Sequence, residues 1–340
     1  MTSNPDQPTL STDTMSPEHR ILRTSVEPCQ FVSEQQVHRA LTGNPNDYFL
    51  HMLERLRSIS AGKISVEMPP KQVFADPGDT ADFRIMPCIT RSGDQTFKTV
   101  KLVGTNIAQI VVPDQITVGK ALVIDPVENY ITHVVDACLL SSARTGMCAT
   151  LAMQLLATQR EHLTIIGSGR VGYYTAFYAA AVCGTRNIVF TDILSERAEA
   201  AAQALKYHFP EVHCSASPVS QLPPTNIVVL ATTSSRPVCA PPAWNAGLII
   251  SMGADIDHQS ELDPAWADCA DIYVDTLDTA RFGDLRAWIG KGHLDLTALT
   301  DFQSLLQNGI SHPAVRPRLF VSTGSALFDN LTLEYLLRRI

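Results

Sequence analysis

The chain has 340 residues, 45% of them hydrophobic, and a formal net charge of −8. This length predicts two domains, because one domain usually holds about 100 to 200 residues. An acidic chain without a basic run argues against nucleic acid and anionic membranes as partners. Local cations still allow a small anionic ligand.

The eight cysteines are scattered without C-x-x-C spacing or close histidines, which predicts neither a metal site nor a disulfide framework. Residues 1–20 are polar and rich in Ser, Thr and Pro, which predicts a disordered tail rather than a signal peptide. No run reaches the about 20 apolar residues of a membrane span. We expect a cytoplasmic protein.

Helical spacing over residues 32–41 and 47–59 predicts two helices, the first with Ser33 as its cap. From residue 64, short β-type runs separated by turn residues predict a mainly antiparallel sheet. The period of two places Lys98 and Lys101 on opposite faces of one strand. One of these lysines therefore faces inward.

An almost entirely apolar helix follows over residues 139–156, with Ser141 and Ser142 as candidate caps. Arg144 is the only charged residue between Asp136 and Arg160. A cation in such a setting needs an anion, which is either a ligand or a local carboxylate such as Asp136.

The next stretch, 163–172, combines an apolar strand with G-x-G-x-x-G spacing, and a helix follows it. This arrangement predicts a Rossmann turn in which backbone amides approach a pyrophosphate at the start of a helix. The predicted cofactor contacts of this turn are Gly167, Gly169, Arg170, Val171 and Gly172.

A second apolar strand over 187–191 ends at Asp192. A carboxylate there accepts hydrogen bonds from ribose hydroxyls and repels a 2′-phosphate, which favours NAD over NADP. Arg197 leaves NADP open as an alternative. Thr232, Met252 and Asp255 end later strands and should lie on the ligand side of a parallel sheet.

These patterns predict an α/β protein: an NAD(P)-binding Rossmann domain over residues 144–314, plus an α+β substrate domain with a mainly antiparallel sheet. We assign residues 21–143 and 315–340 to the substrate domain. Lys71, Lys101 and Arg144 from one domain and Asp255 from the other form a candidate amino-acid site. The cations suit a carboxylate, and the acid suits an amine or its proton.

From about residue 30 onward, the chain resembles the ornithine cyclodeaminase/mu-crystallin family. The motifs that carry the resemblance, besides the glycine turn, are Met68-Pro-Pro-Lys71, Met86-Pro87, Lys101-Leu-Val, Asp125-Pro126, Arg144-Thr145, Gly253-Ala-Asp255 with Glu261-Leu262, and Ser322-Thr-Gly324.

The resemblance implies that Lys101 and Arg144 contact the substrate and that Lys101 and Asp255 act in catalysis. Lys71 stands where cyclodeaminases usually have arginine. Thr145 and Ser322 match positions of cofactor contacts. The resemblance further implies a homodimer that forms through the β-rich domain.

Asp125-Pro-Val-Glu-Asn-Tyr130 and Leu140-Ser-Ser-Ala-Arg-Thr145 resemble the dehydrogenase branch that makes 2,3-diaminopropionate. That branch converts N-(2-amino-2-carboxyethyl)-L-glutamate into 2,3-diaminopropionate and 2-oxoglutarate, as in siderophore or antibiotic biosynthesis. Gly253-Ala-Asp255 with Glu261 resembles the cyclodeaminase and ketimine-reductase side instead. Ornithine cyclodeamination, imine reduction and a non-catalytic, crystallin-like binding protein remain alternatives to the first prediction, which is an NAD-dependent dehydrogenase of the diaminopropionate type.

Overall fold

The structure is a computed structural model. It describes residues 18, 21–22, 26–75, 81–241, 246–255, 259–310 and 316–340. The predicted tail, residues 1–20, lies almost wholly outside these ranges. Within them, no helix combines the length and the apolar character that crossing a membrane requires.

The first sheet has seven strands in the order β1-β7-β6-β5-β4-β2, with β3 also paired to β4. Only β1 and β7 pair in parallel, so the sheet is mainly antiparallel, as predicted. Its strands are β1 Gln30–Val32, β2 Ser65–Glu67, β3 Gln72–Phe74, β4 Phe83–Ser92, β5 Gln95–Thr105, β6 Thr117–Ile124 and β7 Ile131–Asp136.

Two helices lie between β1 and β2 in the chain, α1 Glu34–Thr42 and α2 Pro45–Ser60. The α1 helix starts at the predicted cap, because the Ser33 side chain accepts a hydrogen bond from the Gln36 amide. The Gln36 side chain in turn accepts from the Ser33 amide, which completes a capping box.

The second sheet has eight parallel strands in the order β10-β9-β8-β11-β12-β15-β13-β14. Its strands are β8 His162–Ile166, β9 Asn187–Thr191, β10 His213–Ala216, β11 Ile227–Leu230, β12 Leu248–Ser251, β13 Asp271–Val274, β14 Thr300–Asp301 and β15 Arg318–Val321. The order reverses beside β8, and ligands bind at the carboxyl ends of the strands at such a point. The predicted α/β fold with a Rossmann domain is confirmed.

The remaining helices are α3 Cys138–Leu156, α4 Arg170–Tyr178, α5 Ser195–His208, α6 Trp266–Cys269, α7 Gly283–Gly290, α8 Phe302–Asn308 and α9 Ala326–Leu337. A π-turn, Ala179–Cys183, extends α4, and the described ranges also contain 3₁₀ turns at Val219–Gln221, Leu277–Arg281 and Leu296–Ala298.

The C-terminal segment does not belong to the substrate domain as a whole. Strand β15 pairs with β12 and β13 and therefore lies inside the Rossmann sheet. Its residues are buried throughout, which is the pattern of a parallel strand covered on both faces. The helix α9, in contrast, packs against β4 and β5 of the first sheet.

The start of α3 also differs from the prediction. Ser141 and Ser142 lie inside the helix, and the side chain of Glu34 accepts hydrogen bonds from the amides of Cys138 and Leu139. A carboxylate from α1 thus caps α3, and it complements the positive end of the helix dipole. The sequence predicted a local cap at Ser141 or Ser142, whereas the capping residue, Glu34, lies about a hundred residues earlier in the chain.

The helices α3 and α4 pack closely at Gly146. A β-carbon at this position would lie 2.7 Å from the amide nitrogen of Thr175 and 2.9 Å from the β-carbon of Tyr174. We expect Gly146→Ala to lower the free energy of unfolding by about 1 to 3 kcal/mol, because neither helix can yield without losing contacts. Urea denaturation measures the change.

Gly290→Ala is the matched control, since a β-carbon there meets nothing within 4 Å. It should leave stability unchanged or raise it by up to about 1 kcal/mol through helix propensity. Equal effects of the two substitutions would contradict the close contact between α3 and α4.

Candidate active site

A cleft of about 900 Å³ lies between the first sheet and the carboxyl ends of the parallel strands. This volume is sufficient for a cofactor or a small substrate. The predicted substrate residues Lys71, Lys101, Arg144 and Asp255 all line it. So do the following predicted cofactor residues: Thr145, Gly169, Arg170, Val171, Thr232 and Met252.

In the glycine turn, two of the three glycines leave no space for a side chain. Gly167 has φ +96°, and a β-carbon there would lie 2.3 Å from the Ala231 carbonyl oxygen. A β-carbon at Gly172 would lie 2.2 Å from the Gly167 carbonyl oxygen. Gly169 instead borders open space, and α4 begins there without a side-chain cap. The first amides of α4 are therefore available to an anion in the cleft.

Four predicted cofactor residues, Gly167, Gly172, Asp192 and Ser322, do not line the cleft. Gly167 and Gly172 pack against neighbouring backbone on the side of the turn that faces away from the cleft. The Asp192 carboxylate accepts hydrogen bonds from the amides of Ser168, at 2.8 Å, and Leu194, at 3.1 Å. It therefore holds the glycine turn against the end of β9.

Ser322 is buried, and its hydroxyl donates to Asp275 at 2.7 Å. The side chain thus supports a buried carboxylate behind the cleft, and the prediction of a cofactor contact does not fit this orientation. Burial raises the pKa of Asp275, although hydrogen bonds from Thr279 and Ser322 oppose the shift. The neighbouring Thr323 faces the cleft instead.

Asp329 in α9 joins two of the predicted cations. Its Oδ2 lies 2.7 Å from Nζ of Lys101, and its Oδ1 accepts a hydrogen bond of 2.8 Å from Nε of Arg144. All three side chains are buried. Burial and the charge of Arg144 lower the pKa of Lys101 to about 7, and Asp329 opposes this shift.

Lys71 makes a different set of contacts. Its ammonium donates to the Thr323 carbonyl oxygen at 2.8 Å and lies 3.9 Å from the centre of the Phe282 ring. Burial lowers its pKa to about 8, partly offset by the charge of Asp255. Among the described residues, no carboxylate forms a close ion pair with Lys71, whose ammonium faces the cleft.

Asp255 faces these cations from the loop after β12. Burial alone raises its pKa, but the charges of Arg84 and Lys71 outweigh this effect and hold the pKa below its usual value. Arg84, in β4, forms an ion pair with the Asp255 carboxylate through Nη1. Its Nε also contacts Asp82 at 3.0 Å.

Glu261 fixes the strand ends that carry the Asp255 loop. Its carboxylate accepts hydrogen bonds from the amide of Thr232 at 2.7 Å, the hydroxyl of Ser251 at 2.7 Å and the amide of Gly253 at 2.9 Å. Gly253 has no room for a side chain, because a β-carbon would lie 2.4 Å from Glu261 Oε1. The ends of β11 and β12 are therefore held together by one buried acid.

Sequence reasoning missed Asp329 and Arg84. Asp329 is an acid in the otherwise mostly apolar stretch 326–333, and it is the counterpart of the lone Arg144 in α3. Matching these two isolated charges would have suggested the pair. Arg84 lies two residues before Met86, which pairs with Lys101, so the strand period places Arg84 on the same face.

Comparison with known proteins gives a family match over most of the chain. The model of the ornithine cyclodeaminase/mu-crystallin family matches residues 32–304. An L-lysine cyclodeaminase of Streptomyces rapamycinicus is 29% identical over 284 residues, which cover 80% of this chain and 79% of that protein.

Two solved structures share the fold at lower identity. The Δ1-pyrroline-2-carboxylate reductase of Thermococcus litoralis, in complex with NADH and L-proline, has a TM-score of 0.81 and 16% identity, covering 91% of this chain and 97% of its own. The iminosuccinate reductase of Paracoccus denitrificans, in complex with NAD⁺, has a TM-score of 0.76 and 16% identity, covering 92% and 96%.

We expect Asp329→Asn to destabilise the protein by about 3 to 5 kcal/mol, because it leaves the buried charges of Lys101 and Arg144 without their shared anion. Urea denaturation measures the loss. As a control, Glu67→Gln removes the carboxylate of an exposed ion pair with Arg91 and should cost no more than about 1 kcal/mol. Comparable losses in the two variants would show that Asp329 does not neutralise the pair.

Proposed function

The chain belongs to the ornithine cyclodeaminase/mu-crystallin family, and from this premise we propose that it is an NAD-dependent enzyme that oxidises the Cα–N bond of an amino acid. One observation carries the proposal. The open start of α4, the cations Lys71, Lys101 and Arg144, and the carboxylate of Asp255 all face a single cleft.

The residues of the glycine turn fit a dinucleotide. The uncapped amides at the start of α4 suit a pyrophosphate, and Arg170 in the same turn adds a positive charge. Asp192 follows β9 and does not line the cleft, but its carboxylate lies against the glycine turn, where its negative charge disfavours the 2′-phosphate of NADP. The chemistry that NAD supplies when it is bound is acceptance of a hydride from carbon.

The three cations hold the carboxylate next to the reacting carbon. Arg144 contacts Asp329 through Nε, and a side chain at position 324 would lie 3.1 Å from Nη2. Gly324 therefore keeps space open beside the guanidinium. Lys71 and Lys101 add ammonium groups on the same side, so that the substrate is fixed in position against the cofactor side of the cleft.

Asp255 handles the protons. Because Arg84 and Lys71 hold its pKa low, the carboxylate is ionised at neutral pH and accepts a proton from an attacking nucleophile. Loss of hydride from Cα leaves a carbon–nitrogen double bond, and the carbon of this bond is electrophilic. Water adds to that carbon as Asp255 accepts one of its protons, and this proton is then returned to the nitrogen. The remaining hydroxyl forms the carbonyl as the carbon–nitrogen bond breaks, and the amine leaves with the hydroxyl proton.

The favoured substrate is N-(2-amino-2-carboxyethyl)-L-glutamate. Its oxidation with NAD⁺ and water gives 2,3-diaminopropionate, 2-oxoglutarate, NADH and one proton. The supporting features are residues 125–130 and 140–145, which resemble the 2,3-diaminopropionate branch, and the lysine at position 71, which lacks the planar fork of an arginine. This difference weakens the case for ornithine as the substrate.

The second candidate is a cyclodeaminase, in which an amine of the substrate itself attacks and ammonia leaves. The 29% identity to an L-lysine cyclodeaminase favours it. This reaction consumes no NAD overall, because the hydride returns to the product.

The test uses purified protein and NAD with N-(2-amino-2-carboxyethyl)-L-glutamate, L-lysine or L-ornithine, while NADH, 2-oxoglutarate and ammonia are assayed. We expect NADH and 2-oxoglutarate in equal amounts from the first substrate. Asp255→Asn should reduce kcat by about 100-fold or more, because the proton acceptor is lost.

Asp268→Asn is the control, because it changes an exposed aspartate in α6 outside the cleft. It should retain full turnover. Ammonia from lysine or ornithine without net NADH would replace the first candidate with the second. Full turnover by Asp255→Asn would refute the role given to Asp255.

A further inference from the structure

Arg84 is a cation of the cleft that no sequence motif predicted, and the effect described for it so far is to hold the pKa of Asp255 low. It lies in β4 opposite Val103, and Met86 lies opposite Lys101 two positions away. Directly opposed residues of an antiparallel pair share a face, so Arg84 and Lys101 point to the same side of the sheet. Both side chains line the cleft.

The ion pair of Arg84 with Asp255 bridges the two domains. Arg84 comes from the first sheet, and Asp255 follows β12 of the Rossmann sheet. The Arg84 side chain is 12% exposed, whereas that of Asp255 is 30% exposed. The guanidinium is thus held at the cleft wall by Asp82, and the carboxylate it engages remains open to the cavity.

The other cations of the cleft have different partners. Lys101 and Arg144 share the buried Asp329, and Lys71 contacts a carbonyl oxygen and an aromatic ring. A substrate ammonium in this part of the cleft is attracted by the Asp255 carboxylate, but it cannot pair with Arg84, which repels it. A substrate carboxylate in the same place can take over the contact that Asp255 makes with Arg84.

We propose that Arg84 binds a second carboxylate of the substrate, distal to the one at the reacting carbon. The substrate class is then an amino acid with at least two carboxylates rather than a diamine. This inference rests on the proposed function in that both use the same cleft. Transfer of Arg84 to the substrate also leaves Asp255 free to accept a proton.

The test compares three amino acids that have the same five-carbon chain and differ at its end. L-Glutamate ends in a carboxylate, L-norvaline in a methyl group and L-ornithine in an ammonium. Their binding to the full chain saturated with NADH is measured by isothermal titration calorimetry. We expect glutamate to bind on the order of 30-fold more tightly than norvaline, and ornithine to bind most weakly.

Arg84→Gln should abolish the preference for glutamate over norvaline, and Arg84→Lys should keep part of it. Arg91→Gln on the same strand is the matched control, because Arg91 is exposed and pairs with Glu67 outside the cleft. It should bind all three amino acids as the unchanged protein does. Circular dichroism establishes that each variant is folded.

The inference is overturned if the unchanged protein does not prefer glutamate to norvaline, if ornithine binds best, or if the preference survives in Arg84→Gln. These outcomes leave the oxidation of a Cα–N bond open. A preference for glutamate that depends on Arg84, without any NADH formation, would uphold the dicarboxylate site and reject the proposed reaction.

Discussion

The buried carboxylate of Asp329 is the constraint on which the site depends. Lys101 in β5 and Arg144 in α3 are both buried away from water. Two buried cations repel each other, and a neighbouring anion is needed to offset this repulsion. Asp329 supplies this anion from α9. One carboxylate therefore links the sheet, the long helix and the C-terminal helix, and it sets the positions of two cations at the cleft wall.

A second pair of opposite charges connects the two sheets. The ion pair between Arg84 and Asp255 crosses from the antiparallel sheet to the end of β12, and the cleft opens beside it. Glu261 holds the strand ends on the Rossmann side, so the Asp255 loop starts from a rigid support. The protein as a whole is acidic, with a charge of −8, yet its cleft presents a group of cations to a ligand.

Local patterns in the sequence predicted much of this structure. The glycine spacing with Asp192 predicted the Rossmann turn, and the strand alternation predicted an inward lysine, which is Lys101. The predictions that went wrong depended on contacts between distant parts of the chain. Glu34 caps α3 from α1, and β15 inserts between β12 and β13 although it comes last in the chain order of strands.

The same reason explains the missed residues. The local signals of Arg84 and Asp329 do not identify their distant partners, Asp255 and Arg144, which lie 171 and 185 residues away. The prediction for Ser322 placed the right segment at the cleft but the wrong side chain, because Ser322 turns to Asp275 and Thr323 faces the cavity. Which of two neighbouring residues faces a cavity is decided by packing.

In the proposed reaction, a Cα–N bond is oxidised in the cleft and water completes the reaction. The most direct measurement is the fate of deuterium placed at the glutamate Cα of N-(2-amino-2-carboxyethyl)-L-glutamate, followed by mass spectrometry of the cofactor and the products. The account predicts that the deuterium appears in the reduced cofactor, with unlabelled 2-oxoglutarate released. Deuterium retained at the carbon of the product, with the cofactor unlabelled, would contradict it.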